Sequence, residues 1–329
     1  MSFPLSAIYA PVQAELDQVN ACIDRTLQAT PNAKLRQINQ YLLGAPGKRL
    51  RPLLCLLSHK IVAPDRPILA GAIDIAASLE LMHMASLIHD DVIDHAQIRH
   101  NQPTIHHRWG QEVAIPMGVY LYTLSLERIA HAGDLRVLRQ IGHAVKKLCE
   151  GELHQVLDRG NLDLDLVHYL LMVKKKTAVL FATATHCGAL LAGVNPIQAF
   201  ALKHVGYGLG MLFQISDDYM DIMGNTQVLG KQAGQDVAMG EVTLPFLYLL
   251  EELPSEKRAH LVDLLARKDP ALLSEFQVHL SASQALDKTK ALAKYYVELA
   301  LTHLQMLPES PYRSHLATLI DILQVRAFG

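Results

Sequence analysis

The sequence predicts an all-α protein built as one large helical domain over residues 1–329, and three observations carry that prediction. Apolar residues recur at i, i+3, i+4 and i+7 spacing over six long segments. No stretch reads as a series of alternating strands. Proline- and glycine-containing breaks punctuate the chain between the segments.

The segments follow in order. Ala45-Pro46-Gly47 turns the chain into a short cationic run, Lys48-Arg49-Leu50-Arg51-Pro52, and Ala63-Pro64 breaks it again. The first periodic segment, 67–96, has few exposed-looking positions and is expected to be a buried helix. Segments 112–131 and 135–157 keep the helical period, as does 166–192, which contains Lys174-Lys175-Lys176-Thr177 and closes at Gly193 to Pro196. Segment 197–223 is apolar almost to its end. Gly224 to Gly240 is polar and glycine-rich with no apolar period, the composition of a mobile loop that covers a substrate. Segment 240–252 stops at Leu253-Pro254.

Composition limits the function classes. The hydrophobic fraction of 50% and mean hydropathy of +0.15 imply a large core, or an apolar cavity added to it. A formal net charge of −2 gives no bulk attraction to nucleic acid. The four cysteines, Cys22, Cys55, Cys149 and Cys187, have neither disulfide-framework nor zinc-type spacing, so a cytoplasmic location is expected. The N-terminus has no basic region followed by an apolar core, and the long apolar stretches are interrupted by charge. At most a peripheral membrane contact is expected.

The strongest chemical signal is acidic. His89-Asp90-Asp91-Val92-Ile93-Asp94 is echoed by Asp217-Asp218-Tyr219-Met220-Asp221. On a helix, i and i+4 stand one turn apart on one face, so Asp90 and Asp94 can share a cluster of ions, and so can Asp217 and Asp221. Both motifs sit in otherwise apolar segments, MHMASLIHDDVID and GLGMLFQISDDYMD, where unpaired carboxylates are costly. All-oxygen ligation favours Mg²⁺ bridging to substrate phosphates. Cations to meet those phosphates are at hand: Lys48, Arg49 and Arg51, then Arg99, the lysine run and Lys231. Successive helical residues rotate by about 100°, so only one or two of the three lysines can face a common site.

Taken together, GKRLRP, HxxSLIHDDVID, PTIHxxWG, CEGELHQ, KTA, FQISDDYMD and GKQAGQD followed by TLP resemble the trans-type polyprenyl diphosphate synthases, in order and spacing, from about residue 44 to residue 250. The resemblance implies an antiparallel helical bundle around a deep apolar cavity, of the isoprenoid synthase type, as a homodimer. It implies that Asp90, Asp91, Asp94, Asp217, Asp218 and Asp221 coordinate three Mg²⁺ ions on an allylic prenyl diphosphate. Arg99, Lys176, Thr177, Gln214 and Lys231 match the family's allylic-diphosphate contacts; Lys48, Arg51 and His83 match its isopentenyl diphosphate contacts. The catalytic set is then Asp90, Asp94, Lys176 and Asp217. The chain departs from the family's pattern at three positions. His100 stands where a second arginine is usual, Glu241 where a lysine contacts the allylic diphosphate, and Val119 where an aspartate is usual. A histidine beside a diphosphate can still serve as a cation. Glu241 replaces attraction by repulsion unless its side chain turns to another partner.

Chain length follows from what fills the cavity below the first acidic motif. Ala85 and Ser86 lie about one turn below Asp90, and Leu81 and Met82 one turn deeper. Small residues at 85 and 86 leave the way open for a medium- or long-chain product, with Tyr120 or Tyr122 as a candidate floor from another helix. Two other readings keep the aspartates: a terpene synthase or diphosphate lyase that does not use isopentenyl diphosphate, and a weakly active subunit of a heteromeric synthase.

Overall fold

Helices account for nearly all of the regular structure in the computed structural model. It describes residues 5–44, 47–99, 102–157, 165–223, 234, 237 and 241–328. The expected contacts His100 and Lys231 lie outside the described residues, as does most of the 224–240 connection.

The chain opens with α1 (Leu5–Tyr9), a 3₁₀ turn (Ala10–Val12), α2 (Gln13–Gln28) and α3 (Ala33–Leu43). Asn32 caps α3 by accepting from the backbone N–H groups of Lys34 and Leu35, at 3.0 and 3.2 Å. Then come α4 (Leu50–Val62), α5 (Ala70–Ile93), α6 (Ile105–Trp109), α7 (Gln111–Ala132) and α8 (Leu135–Leu157). A two-residue ribbon, β1 (Ile98–Arg99) against β2 (Gln102–Pro103), antiparallel with Arg99 opposite Gln102, lies between α5 and α6. Strands this short have no period to read, and the sequence shows no sign of them.

Segment 166–192 is three elements, not one: α9 (Leu166–Val173), a π-helical turn (Lys174–Ala178) and α10 (Val179–Ala192). After α11 (Pro196–Met223) the chain finishes with α12 (Leu244–Glu252), α13 (Ser255–Arg267), α14 (Leu272–Ser281), α15 (Ala285–Gln305) and α16 (Pro311–Phe328).

The packing order puts the acidic segments inside. α5 runs along α7, α10 lies against both α4 and α11, and α11 packs against α15. One apolar cluster extends from Ile8 to Leu323. α5 is long and apolar enough to cross a bilayer on composition, contrary to the expectation that charge interrupts every such stretch; it is instead mostly buried within the bundle. Leu81, Met82, Ala85 and Ser86 are all buried, and the Ser86 hydroxyl turns back to donate to the His83 carbonyl at 2.9 Å. Their place in the core matches a lining role below Asp90 and equally matches plain packing.

Candidate active site

Two residues in succession tie the acidic helices together, and the π-helical turn makes this possible. A π-turn widens the helix by one residue and re-aims the side chains that follow. From this turn Lys176 points to one side and Thr177 to the other. The Lys176 ammonium donates to Glu152 Oε1 at 3.1 Å and to Gln155 Oε1 at 2.8 Å, both on α8. Burial loosens its proton, but Asp90 on α5, Glu152 and Asp94 at the α5 C-cap together hold it more tightly than usual. Thr177 donates to Gln214 Oε1 on α11 at 2.9 Å, and Gln214 Nε2 donates to Asp218 Oδ1 at 2.9 Å. Lys175, the neighbour expected to face elsewhere, leans on Glu150 at 3.8 Å.

The turn sits close against its neighbours because glycines face it. A Cβ on Gly151 would lie 2.8 Å from Lys175 Cβ and 2.9 Å from the Lys176 nitrogen. One on Gly210 would lie 2.5 Å from Ala178 Cα. Gly151 on α8 and Gly210 on α11 therefore let both helices touch the backbone that carries Lys176 and Thr177.

The first acidic motif is crowded with negative charge. Burial pushes the Asp90 carboxyl up to about 7, with Glu152 and Asp94 adding to the rise and Lys176 and Arg99 opposing it. Asp91 is pushed up by burial while Arg99 counteracts; Arg99 Nε donates to Asp91 Oδ1 at 2.6 Å. Glu152 Oε2 is buried with no hydrogen-bond partner.

The second motif is braced differently. Asp218 is buried, and its oxygens accept from Tyr169 Oη at 2.7 Å, from Gln214 Nε2, and from the Leu244 backbone N–H at 3.1 Å. Asp221 is buried too, and its carbonyl accepts from the Gly234 N–H at 2.6 Å. Gly234 thus meets the end of α11, with φ +74. Asp217 is half-buried on the same helix.

The remaining cations divide. Arg49, in the left-handed region at φ 52, spends its guanidinium on buried Glu80 at 2.9 Å and on Asn20 at 3.0 Å. Arg51 lies 4.9 Å from the centre of the Phe181 ring. Burial pulls its guanidinium down to about 10, with Glu80 and Asp90 opposing, and its Nε is buried without a partner. Lys48 is exposed and His83 half-buried. Glu241 accepts from Gln155 Nε2 at 2.6 Å, so it has turned to another partner, a neutral amide.

The sequence motif CEGELHQ carries no sign of the roles of Glu152 and Gln155, and no motif marks Tyr169. Their partners lie 21 to 86 residues away along the chain, a separation that no local spacing encodes.

The residues present fit a hard divalent cation. The donor set is all oxygen, burial disfavours the charge on Asp90, and Glu152 Oε2 is an orphaned acceptor beside it. No three His, Cys, Asp or Glu side chains converge on one ligand position among the described residues.

Comparison with known proteins gives four findings. A family model for polyprenyl synthetase matches residues 32–280. A short chain isoprenyl diphosphate synthase of Methanothermobacter thermautotrophicus is 36% identical over 304 residues, 90% of this chain and 91% of that one. A heptaprenyl diphosphate synthase component 2 of Geobacillus stearothermophilus is 35% identical over 315 residues, 96% and 97% of the two chains. Among solved structures, a polyprenyl synthase from Caulobacter crescentus, complexed with calcium and isoprenyl diphosphate, superimposes with a TM-score of 0.91 at 31% identity, covering 99% of each chain.

Proposed function

Since the chain belongs to the polyprenyl synthetase family, we propose that it condenses an allylic prenyl diphosphate with isopentenyl diphosphate to a medium- or long-chain all-trans polyprenyl diphosphate. It is a prenyltransferase of the all-α isoprenoid synthase fold that elongates prenyl diphosphates. The observation that carries the reading is the Lys176–Thr177 pair, one residue in the electrostatic field of the first aspartate motif and the next linked by hydrogen bonds to the second.

The family's chemistry depends on divalent metal. In this reading three Mg²⁺ ions are held chiefly by Asp90, Asp94, Asp217 and Asp221, and bound there they offset charge on the departing diphosphate. Asp91 and Asp218, already engaged by Arg99 and by Tyr169, Gln214 and Leu244, keep the two motifs in register. Lys176 and Arg99, with Lys231, hold the allylic diphosphate, and Thr177 and Gln214 fix its orientation. Arg51, with Lys48, His83 and His100, takes isopentenyl diphosphate; the orphaned Arg51 Nε is a buried donor that an anion would satisfy.

The allylic C–O bond breaks and its electron pair leaves with the diphosphate. The isopentenyl double bond attacks the allylic cation in a site from which apolar helices exclude water. A proton then passes to the released diphosphate. Ala85 and Ser86 leave the growing chain room towards Leu81 and Met82.

A second reading concerns assembly. Ile115, Val119 and Leu126 on α7 are 44, 54 and 52% exposed, with Leu135, Leu153 and Leu157 on α8 more so. That surface suits a second copy in a homodimer, and the relative named as component 2 raises a different subunit as its occupant.

Incubation of purified protein with Mg²⁺ and geranyl, farnesyl or geranylgeranyl diphosphate, with and without labelled isopentenyl diphosphate, tests the function by mass spectrometry. Longer diphosphates only when isopentenyl diphosphate is present are expected. Alcohols or hydrocarbons formed without it would shift the assignment to a lyase. Turnover only after a partner subunit is added would shift it to a heteromeric synthase.

A further inference from the structure

We propose that Glu241 is a positioning residue which, acting through the Gln155 amide, holds the Lys176 ammonium aimed at the first aspartate motif. The proposal rests on the reading that this site takes a diphosphate, and it assigns a task to the carboxylate that stands where the family resemblance implies a lysine.

The polarity of the chain of hydrogen bonds carries the argument. A carboxylate only accepts, an ammonium only donates, and a glutamine amide does one at each end. Glu241 Oε2 takes the Gln155 Nε2 at 2.6 Å, so the amide oxygen must face the other way, and there it accepts from Lys176 at 2.8 Å. Neither end leaves the amide a choice. Lys176 is held on a second side by Glu152 at 3.1 Å, which leaves one N–H for a further acceptor in the field of Asp90 and Asp94. All of these groups are partly or wholly buried, where charge-assisted hydrogen bonds are strongest.

The brace has a second end. Three residues beyond Glu241, the Leu244 N–H donates to Asp218 at 3.1 Å. The segment entering α12 is therefore fixed to the Lys176 branch and to the Asp218 branch at once.

The arrangement predicts that a lysine in place of Glu241 harms the site instead of repairing it. An ammonium there could only donate, so it would draw the Gln155 oxygen to itself and turn the NH₂ group onto Lys176, donor against donor. A carboxylate in place of the Gln155 amide accepts at both oxygens, and so could serve two lysines. With Glu241 retained, the same change would set carboxylate against carboxylate.

The test is calorimetric binding of inorganic diphosphate with Mg²⁺ to the full chain, which requires no turnover. Loss of one charge-assisted hydrogen bond should weaken binding about tenfold in Glu241→Lys, in Glu241→Leu and in Gln155→Glu. Glu241→Gln, which keeps an acceptor for Gln155, should stay within about threefold of the native chain, and so should the double variant Gln155→Glu with Glu241→Lys, by coupling between directly bonded partners. Tighter binding by Glu241→Lys, no recovery in the double variant, or loss as large in Glu241→Gln as in Glu241→Leu would each overturn the proposal. Elongation by the native protein with a failed binding series removes the brace alone; a series that holds without elongation removes the proposed reaction alone.

Discussion

Asp90 takes up a proton unusually readily because burial, Glu152 and Asp94 all disfavour its charge. Its carboxyl lies near 7 in the folded chain against an ordinary value of 3.8. A raised carboxyl binds protons more tightly when folded than when unfolded. Its contribution to stability is therefore complete below the ordinary value and is lost as pH rises through about 7. Without divalent ions, the contribution of Asp90 makes the protein melt at a lower temperature at pH 8 than at pH 5.5. Mg²⁺ competes with that proton, so its stabilising effect should grow over the same interval. Thermal melts at the two pH values, with and without Mg²⁺, check both directions. Asp90→Asn should flatten the metal-free dependence and reduce the Mg²⁺ effect; unchanged melts would mean that Asp90 is not the titrating group. On the other acidic helix, Tyr169→Phe removes a buried donor from the Asp218 carboxylate. A hydrogen bond to a charged group contributes about 1.5–3 kcal/mol, and denaturant unfolding should fall by that amount.

The π-turn is where element geometry becomes site geometry. Lys176 and Thr177 serve opposite helices only because the turn is widened and because Gly151 lets α8 press against it. Gly151→Ala puts a methyl into Lys175 Cβ and the Lys176 nitrogen. Overpacking of this kind costs about 1–3 kcal/mol in stability. Displacing a reacting group by about 1 Å can cost roughly a hundredfold in rate, so elongation should fall steeply even under conditions where the variant stays folded. Steady-state kinetics beside denaturant unfolding measures the two losses; equal, small losses would show that the turn does not set Lys176. The helices themselves were legible, since 135–157 is predicted with the bounds of α8, and 197–223 falls one residue short of α11. Both acidic motifs could be placed on helices for the same reason. The π-turn could not be read, because KKKTA keeps the apolar period on either side and a one-residue widening leaves no mark in it. Nor could the link from Gln155 to Glu241, which depends on which helices meet and not on spacing within any of them.

At the scale of the whole molecule, the high apolar fraction has two destinations. Most of it fills the cluster from Ile8 to Leu323, but α7 and α8 keep a share outside. Ile115, Val119 and Leu126 fall within about 40° of one another around α7, and Leu135, Leu153 and Leu157 similarly share one side of α8. Val119, which has no electrostatic account as a replacement for aspartate, is intelligible here, since it continues an apolar row. Such a face is costly in water and is the composition found where subunits meet. Light scattering should therefore give a mass about twice the 36.4 kDa of the chain. Leu126→Glu combined with Leu153→Glu would place four carboxylates in a twofold interface and should return the mass to that of one chain. Both positions are more than half exposed in the single chain, so the double variant should keep its circular dichroism and its melting behaviour per subunit. If the native protein already has the mass of one chain and the variants change nothing, the homodimer is overturned and a different subunit is the remaining candidate for that face. Adding the cell's own partner should then raise both the mass and the rate of elongation together.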